Sequence, residues 1–238
     1  DFYDVPTAQL IDKNYAKDRM SDFDLTKASD SENIGAGSWP DESLETTHFS
    51  VMDRTGMMVS LTTTLNGSYG NKIVVPGTGI LLNNEMNDFS LKPNTANQYD
   101  LLGREANAIA PKKRMLSSMS PLIVTKEGKP VLITGSPGGA TIITTTLQIV
   151  VNVIDHQMSI EDAVSAPRFH HQWKPNVVLY EPRAFSPDTV TLLRETGHLN
   201  LIPWPYDRGI GDANSILYKD GLMHGTKDPR NEGVAVGY

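Results

Sequence analysis

TTHFSVMDRTGMMVSLTTTLN, residues 46–66, is rich in Thr, Val and other strand-favouring side chains and is interrupted once, at Asp53–Gly56, by turn residues. It reads as a β-hairpin whose alternating faces carry β-branched and polar residues. Downstream, PLIVTK–EG–KPVLITGS (121–136) predicts a second hairpin, and NSILYKDGLMHG (214–225) a third that turns at Lys219–Asp220–Gly221. Between them, ATIITTTLQIVVNVIDHQ (140–157) is apolar nearly all round, as a helix buried between layers would be. Ser186–Pro187–Asp188 supplies an N-cap, a proline at the first helical position and an acid in the first turn, and Gly197 is placed to end that helix. A shorter helix is expected from Ser159 to just before Pro167. Antiparallel hairpins with buried helices predict a layered α/β sandwich, two sheets enclosing a core under helices. The strands do not alternate strictly with helices, which disfavours a doubly wound parallel sheet.

Upstream of Thr46 the texture changes. PTAQLIDKNYAKDRM (6–20) predicts one short helix with Leu10, Ile11 and Tyr15 roughly on one side, and Ser21–Ser43 reads as a loop or linker. The whole chain has 238 residues, 39% hydrophobic and 21% charged, with a formal charge of −7. That excess sits in residues 1–45, which hold 11 acids against 4 bases, whereas residues 46–238 hold 17 of each. The basic footprint of a nucleic-acid binder is missing. No apolar run approaches the ~20 residues of a membrane span, and no signal peptide is visible. A start at Asp1 without Met points to sequence upstream. Cys is absent, so disulfides, thiolate metal sites and a Cys nucleophile are excluded.

Among candidate sites, adjacent His170 and His171 in PRFHHQW point to different sides and make a poor chelate. Asn66–Gly67–Ser68 matches the glycosylation sequon, a pattern short enough to arise by chance. No G-x-S-x-G elbow is present. Gly135-Ser136-Pro137-Gly138-Gly139 lies between a strand and the apolar helix, where converging backbone N–H groups and the helix start would stabilise an anion. The anion could be a phosphate or the oxyanion of acyl transfer, although no Lys-Ser/Thr follows as a P-loop requires. A tight turn with close backbone approach explains the same glycines. Thr46–Thr47 stands where the acidic linker meets the first strand. Were the chain cut before Thr46, the freed α-amine would sit on the same residue as the hydroxyl. With an unperturbed pKa of ~7.7–8 it suits a general base, and such self-activation of threonine is an established scheme.

ETTHFSVMD, LTTTLNGSYG, GILLNNEMNDFS, RMLSSMSP, TGSPGGATIITT, APRFHHQW and the terminal DPR…GY together resemble the small subunit of γ-glutamyltranspeptidases, in order and at similar spacing across 46–238. Residues 1–20 resemble the end of that family's large subunit. The resemblance implies an α+β fold, a four-layer αββα sandwich of the N-terminal nucleophile hydrolase type. It implies two parts: 1–45 as the tail of the upstream subunit and 46–238 as the small catalytic subunit. Thr46 would be the nucleophile, Glu45–Thr46 the autoprocessing site, Thr64 an orienting partner, and Gly138 and Gly139 the oxyanion hole. Glu85, Asp88 and Asn66 would hold the substrate's α-ammonium end, and Ser117 and Ser118 its α-carboxylate. Lys92–Arg104, with Tyr99, would be a lid.

The activity implied is γ-glutamyl transfer or hydrolysis, with glutathione as substrate and water or an amino acid as acceptor. No cofactor and no metal are called for. The large subunit from the same precursor would be the partner and would add a carboxylate-binding arginine; were that arginine replaced from within, Arg104 and Arg114 are the first candidates. The location implied is periplasmic or extracellular. A cephalosporin acylase or poly-γ-glutamate-processing relative would share the chemistry, and an uncleaved, catalytically silent precursor or binding form is the alternative outside it.

Overall fold

The first expectation to change is the leader helix. In the computed structural model, which describes residues 7–32, 34, 45–92 and 105–238, it is two short helices, α1 (Thr7–Leu10) and α2 (Lys13–Arg19). The break has a local cause. Asp12 is extended and its carboxylate accepts from Asn14 N at 2.7 Å, an N-cap that restarts the helix rather than continuing it. Of the linker, residues 33 and 35–43 lie outside the described residues.

All three hairpins form where turn chemistry places them. β1 (Glu45–Met52) and β2 (Met58–Asn66) pair antiparallel. β3 (Leu122–Lys126) and β4 (Lys129–Thr134) turn through Glu127 and Gly128, both at positive φ. The helix α3 (Thr141–Ile154) follows β4, then α4 (Ile160–Ser165), capped by Ser159 Oγ accepting from Asp162 N at 3.1 Å. A three-stranded sheet has no counterpart in the sequence reading: β5 (Phe169–His170), β6 (Val178–Tyr180) and β7 (Leu201–Pro203). It is interrupted by α5 (Pro187–Glu195), capped by Ser186. The chain closes with β8 (Ser215–Lys219) and β9 (Leu222–Thr226), turning through Asp220 and Gly221 at positive φ.

These elements stack in three layers. The middle is a four-stranded sheet in the order β3-β4-β8-β9. One face carries the main core, in which Leu132 and Leu217 meet Ile149 and Val153 of α3 and Ile160, Ala163 and Val164 of α4. The β1–β2 ribbon lies on the other face, tied by Ser50 Oγ to Asn214 O (2.9 Å) and by Ser60 Oγ to Thr134 O (2.9 Å). His48 is buried against Gly135, where any Cβ would overlap the imidazole. Its ring nitrogens bond Thr62 Oγ1 and Ser50 Oγ, and burial pushes its pKa down to about 4, so it is neutral at physiological pH.

The ribbon therefore turns its polar face inward. Phe49, Val51, Val59 and Leu61 remain 38–50% exposed on the other side. The apolar helix is also less enclosed than its composition predicts, because Ile143, Leu147 and Ile154 are exposed. Two apolar faces thus lie open at opposite sides of the stack.

Candidate active site

Thr46 is the second residue of β1 and stands at an irregularity. Glu45 pairs with Asn66 and Thr47 with Thr63, and the register shifts between them, so Thr46 has no ladder partner of its own. It is half-buried and lines an open cleft of about 820 Å³. Across the bulge runs the end of β2, with Thr64 facing inward and its Oγ1 accepting from Asn66 N at 2.8 Å.

Gly138 lines the same cleft. The strand β4 ends in Thr134 and α3 starts at Thr141, so the glycine turn sits where the helix presents its uncompensated N–H groups. Gly138 (φ 131°) and Gly139 (φ 57°) adopt backbone conformations that disfavour side chains, and a Cβ on Gly138 would press on Thr141 Oγ1. Their carbonyls are occupied by Thr141 N (3.1 Å), Thr141 Oγ1 (2.8 Å) and Ile142 N (3.0 Å). Their N–H groups donate to no acceptor among the described residues, and α3 has no side-chain cap. Free backbone N–H groups at a helix start suit an anion, and Gly138 shares its cleft with Thr46.

The carboxylates expected to hold an ammonium sit on a 3-10 turn, Glu85–Asp88, joined to the end of β2. Asn66 Nδ2 donates to Asn84 O (3.1 Å), and Gly67 N donates to Asn84 Oδ1 (2.7 Å). Asn66 is itself fully buried, so it anchors this loop and is closed to glycosylation in the fold. Burial, then the neighbouring Asp88, pushes Glu85 up to about 7, and burial raises Asp88 as well. Glu85 Oε1 and Asp88 Oδ1 are both buried with no hydrogen-bond partner among the described residues. Two adjacent acids without a counter-cation among the described residues fit a positively charged group.

Ser118 is buried and donates to Gly139 O at 3.0 Å, which ties its loop to the glycine turn. Ser117 is exposed and accepts from Met119 N at 3.3 Å, leaving its own hydroxyl proton available. Glu85, Asp88, Ser117 and Ser118 are not among the residues lining the Thr46 cleft. Tyr99, Arg104 and most of the expected lid (93–104) lie outside the described residues, as does the Glu45 side chain.

The sequence reading missed the ionic lock behind the cleft. Asp228 is fully buried and accepts from Arg168 Nη2 (2.6 Å), Ala213 N (2.7 Å), Arg230 N (3.0 Å) and Arg230 Nη1 (3.1 Å). Glu181 accepts from Arg168 N (2.8 Å), Ile210 N (2.6 Å) and Arg230 Nε (2.6 Å). These donors and guanidinium charges hold both carboxylates below the usual range despite burial. The lock fixes the 207–212 loop against the glycine turn, where Asp212 N donates to Ser136 Oγ at 2.9 Å. Arg168 and Asp228 are 60 residues apart, and only the charged stretches PRF and DPR hinted at them.

A threonine near the start of a sheet-stacked ribbon, sharing a cleft with a glycine turn at a helix start, fits the α+β N-terminal nucleophile hydrolase class. The family follows from similarity. Residues 1–238 match the family described as Gamma-glutamyltranspeptidase, and the chain belongs to it. It is 47% identical over 241 aligned positions to the glutathione hydrolase proenzyme of Escherichia coli K12, covering 100% of this chain and 41% of that protein. It is also 37% identical to the Acylase ACY 1 proenzyme of Pseudomonas sp. SE83, over 99% of this chain and 39% of that one. The crystal structure of the T380A mutant of Helicobacter pylori gamma-glutamyltranspeptidase superposes with a TM-score of 0.73 at 48% identity, covering 78% of this chain and 100% of that one. The chain spans about 40% of the length of the curated relatives it matches.

Proposed function

We propose that this chain is the catalytic part of an enzyme that removes γ-glutamyl groups from glutathione and related amides, passing them to water or an amine. The observation that carries this is the meeting of Thr46 and Gly138 in one cleft, together with two carboxylates on the loop after β2 that meet no cation among the described residues. An N→O acyl shift moves the Glu45 carbonyl from the Thr46 nitrogen to its Oγ, and water then hydrolyses that ester, cutting the chain and leaving Thr46 with a free amine and a free hydroxyl. That amine takes the hydroxyl proton as Oγ attacks the γ-carbonyl. The oxyanion is met by the Gly138 and Gly139 amides, and Thr64 orients the nucleophile. The leaving amine departs, and a second nucleophile releases the acyl group from Thr46.

Glu85 and Asp88 select the substrate's α-ammonium, and Asn66 holds their loop in place. Ser117, with Ser118 after its bond to Gly139 O turns, takes the α-carboxylate. Charge-assisted bonds of this kind contribute about 1.5–3 kcal/mol each. Tyr99 belongs to a closing lid. The name glutathione hydrolase carried by the Escherichia coli relative supports this reading.

The exposed face of the ribbon and the open face of α3 support a partner as well. An upstream large subunit from the same precursor covers them, adds the fourth, helical layer of an αββα sandwich and brings a carboxylate-binding arginine, with residues 1–45 as its tail. A site outside the cytoplasm, periplasmic or extracellular, belongs to the same reading.

The acylase relative keeps a second substrate class in view, with the same threonyl ester and another acyl group. Comparing hydrolysis of glutathione with that of a glutaryl-cephalosporin, which lacks the α-ammonium, separates the two. Preference for glutathione by at least tenfold supports the assignment of Glu85 and Asp88, and equal rates remove it.

A further inference from the structure

Trp173, at the end of the PRFHHQW stretch, has no part in the scheme above. It stands in the loop after β5 at a φ of 70°, a conformation that bulky side chains rarely adopt. The loop holds it there from within. Trp173 N donates to His171 Nδ1 at 3.2 Å, which leaves His171 Nε2–H for Asn176 Oδ1 at 3.1 Å.

The indole is engaged on the leader. Trp173 Nε1–H is shared between Ser31 O and Ile34 O, 2.8 Å from each. Lys174 carries its ammonium over the same ring, 5.0 Å from the centroid, and pairs with Glu32 at 2.8 Å on the exposed rim. Three residues before Ser31, Ala28 N donates to Thr196 O at 2.5 Å. That bond satisfies one of the carbonyls that α5 leaves open at its C-terminus. Beside it the leader runs against Gly197, where a Cβ would come within 3.4 Å of Ala28 Cβ.

Burial follows the same pattern. Ser31 is 2% exposed and is the one buried side chain among the described residues of the leader, with Ala28 and Ile34 half-buried near it. The helices α1 and α2 contain no buried residue. The leader is thus anchored between the loop after β5 and the end of α5, on residues that do not line the Thr46 cleft. None of these contacts uses a leader residue beyond Ile34, so cutting the Glu45–Thr46 bond breaks none of them.

We infer that this seat retains the leader after scission, with Trp173 as the clamp that holds the tail of the upstream subunit on residues 46–238 without a covalent link. What the seat recognises is a turn whose carbonyls, three residues apart, converge on one indole N–H, with a small side chain at Ser31 and an acid at Glu32. The inference rests on scission before Thr46 and adds where the cut tail is kept.

Hydrogen exchange of the full-length protein tests it, with the Thr46→Ala precursor as the uncut form. The Ala28 amide reports the seat because its hydrogen is bonded to Thr196 O. It is expected to exchange at the same rate, within about threefold, in matured and uncut protein. Trp173→Phe keeps the ring under Lys174 but removes the indole donor. Ser31→Tyr unseats the leader from its own side and leaves the catalytic part unaltered. Both variants are expected to speed Ala28 exchange at least tenfold in the matured enzyme and to open the Lys27–Ala28 bond to trypsin. An Ala28 amide protected in the uncut form but free in the matured one overturns the seat, as does protection that survives both variants. A parent that is never cut removes the scission reading, and the retained tail falls with it.

Discussion

Replacing Asp228 by Asn tests whether the ionic lock holds the cleft wall in place. The carboxylate is fully buried and accepts four hydrogen bonds, two on each oxygen, from two guanidinium groups and two backbone amides. An Asn of the same shape must turn its NH2 toward one of those donor pairs, so at least two bonds become donor against donor. It also leaves the Arg168 guanidinium, 1% exposed, without its counter-charge. Breaking a buried pair from one side costs about 3–5 kcal/mol. For a chain of this size that is a fall in Tm on the order of 6–20 °C.

Thermal and urea denaturation of parent and variant measure this, with Glu32→Ala as the reference. Glu32 pairs with Lys174 in solvent, its side chain 73% exposed, and its loss should cost at most about 1 kcal/mol. The pH dependence adds a second check. Asp228 and Glu181 have depressed pKa values in the fold, so their stabilisation is present above the ordinary carboxylate range and disappears as pH falls through the folded values. Asp228→Asn should flatten the acid limb. An Asn variant within about 1 kcal/mol of the parent, with an unchanged acid limb, refutes the lock.

Other outcomes follow from the same geometry. Glu85 is raised to about 7, so its contribution favours the fold when protonated and weakens as pH climbs from the ordinary glutamate range toward 7. Glu85→Gln should flatten that decline while weakening turnover of γ-glutamyl amides at least tenfold, measured by pH-dependent unfolding and steady-state kinetics. Binding of a γ-glutamyl ligand to the parent near pH 6.5 should release a proton, visible by calorimetry in buffers of different ionisation enthalpy; zero release contradicts the pairing of that ammonium with Glu85. Gly138→Ala places a Cβ against Thr141 Oγ1 at a φ of 131° and should lower turnover by about 10²-fold or more through the damaged anion cradle.

What could be read without coordinates follows from the range of the interactions. The hairpins were legible because their turns are spelled by adjacent residues, as at Glu127–Gly128 and Asp220–Gly221. β5 and β7, of two and three residues, are too short to show a period. The single leader helix misread Asp12 as a helix residue where it acts as a cap. The ribbon's facing could not be taken from hydrophobicity, because His48, Ser50, Ser60 and Thr62 turn inward to bond one another and the sheet, while Phe49 and Leu61 face out. Thr46 and Gly138, singled out by local chemistry, do share one cleft. Arg168 and Asp228 were not legible, because each derives its character from neighbours brought in by the fold.

In this mechanism Thr46 is both the residue released by scission and the nucleophile. Intact mass and N-terminal sequencing of the purified protein, before and after rapid quenching with a γ-glutamyl donor, address both parts at once. The expected result is a C-terminal fragment, residues 46–238, beginning at Thr46, with the trapped γ-glutamyl group mapping to that residue, and a Thr46→Ala protein that stays uncut. An active protein whose Glu45–Thr46 bond is intact, or whose acyl group maps to another side chain, would contradict it.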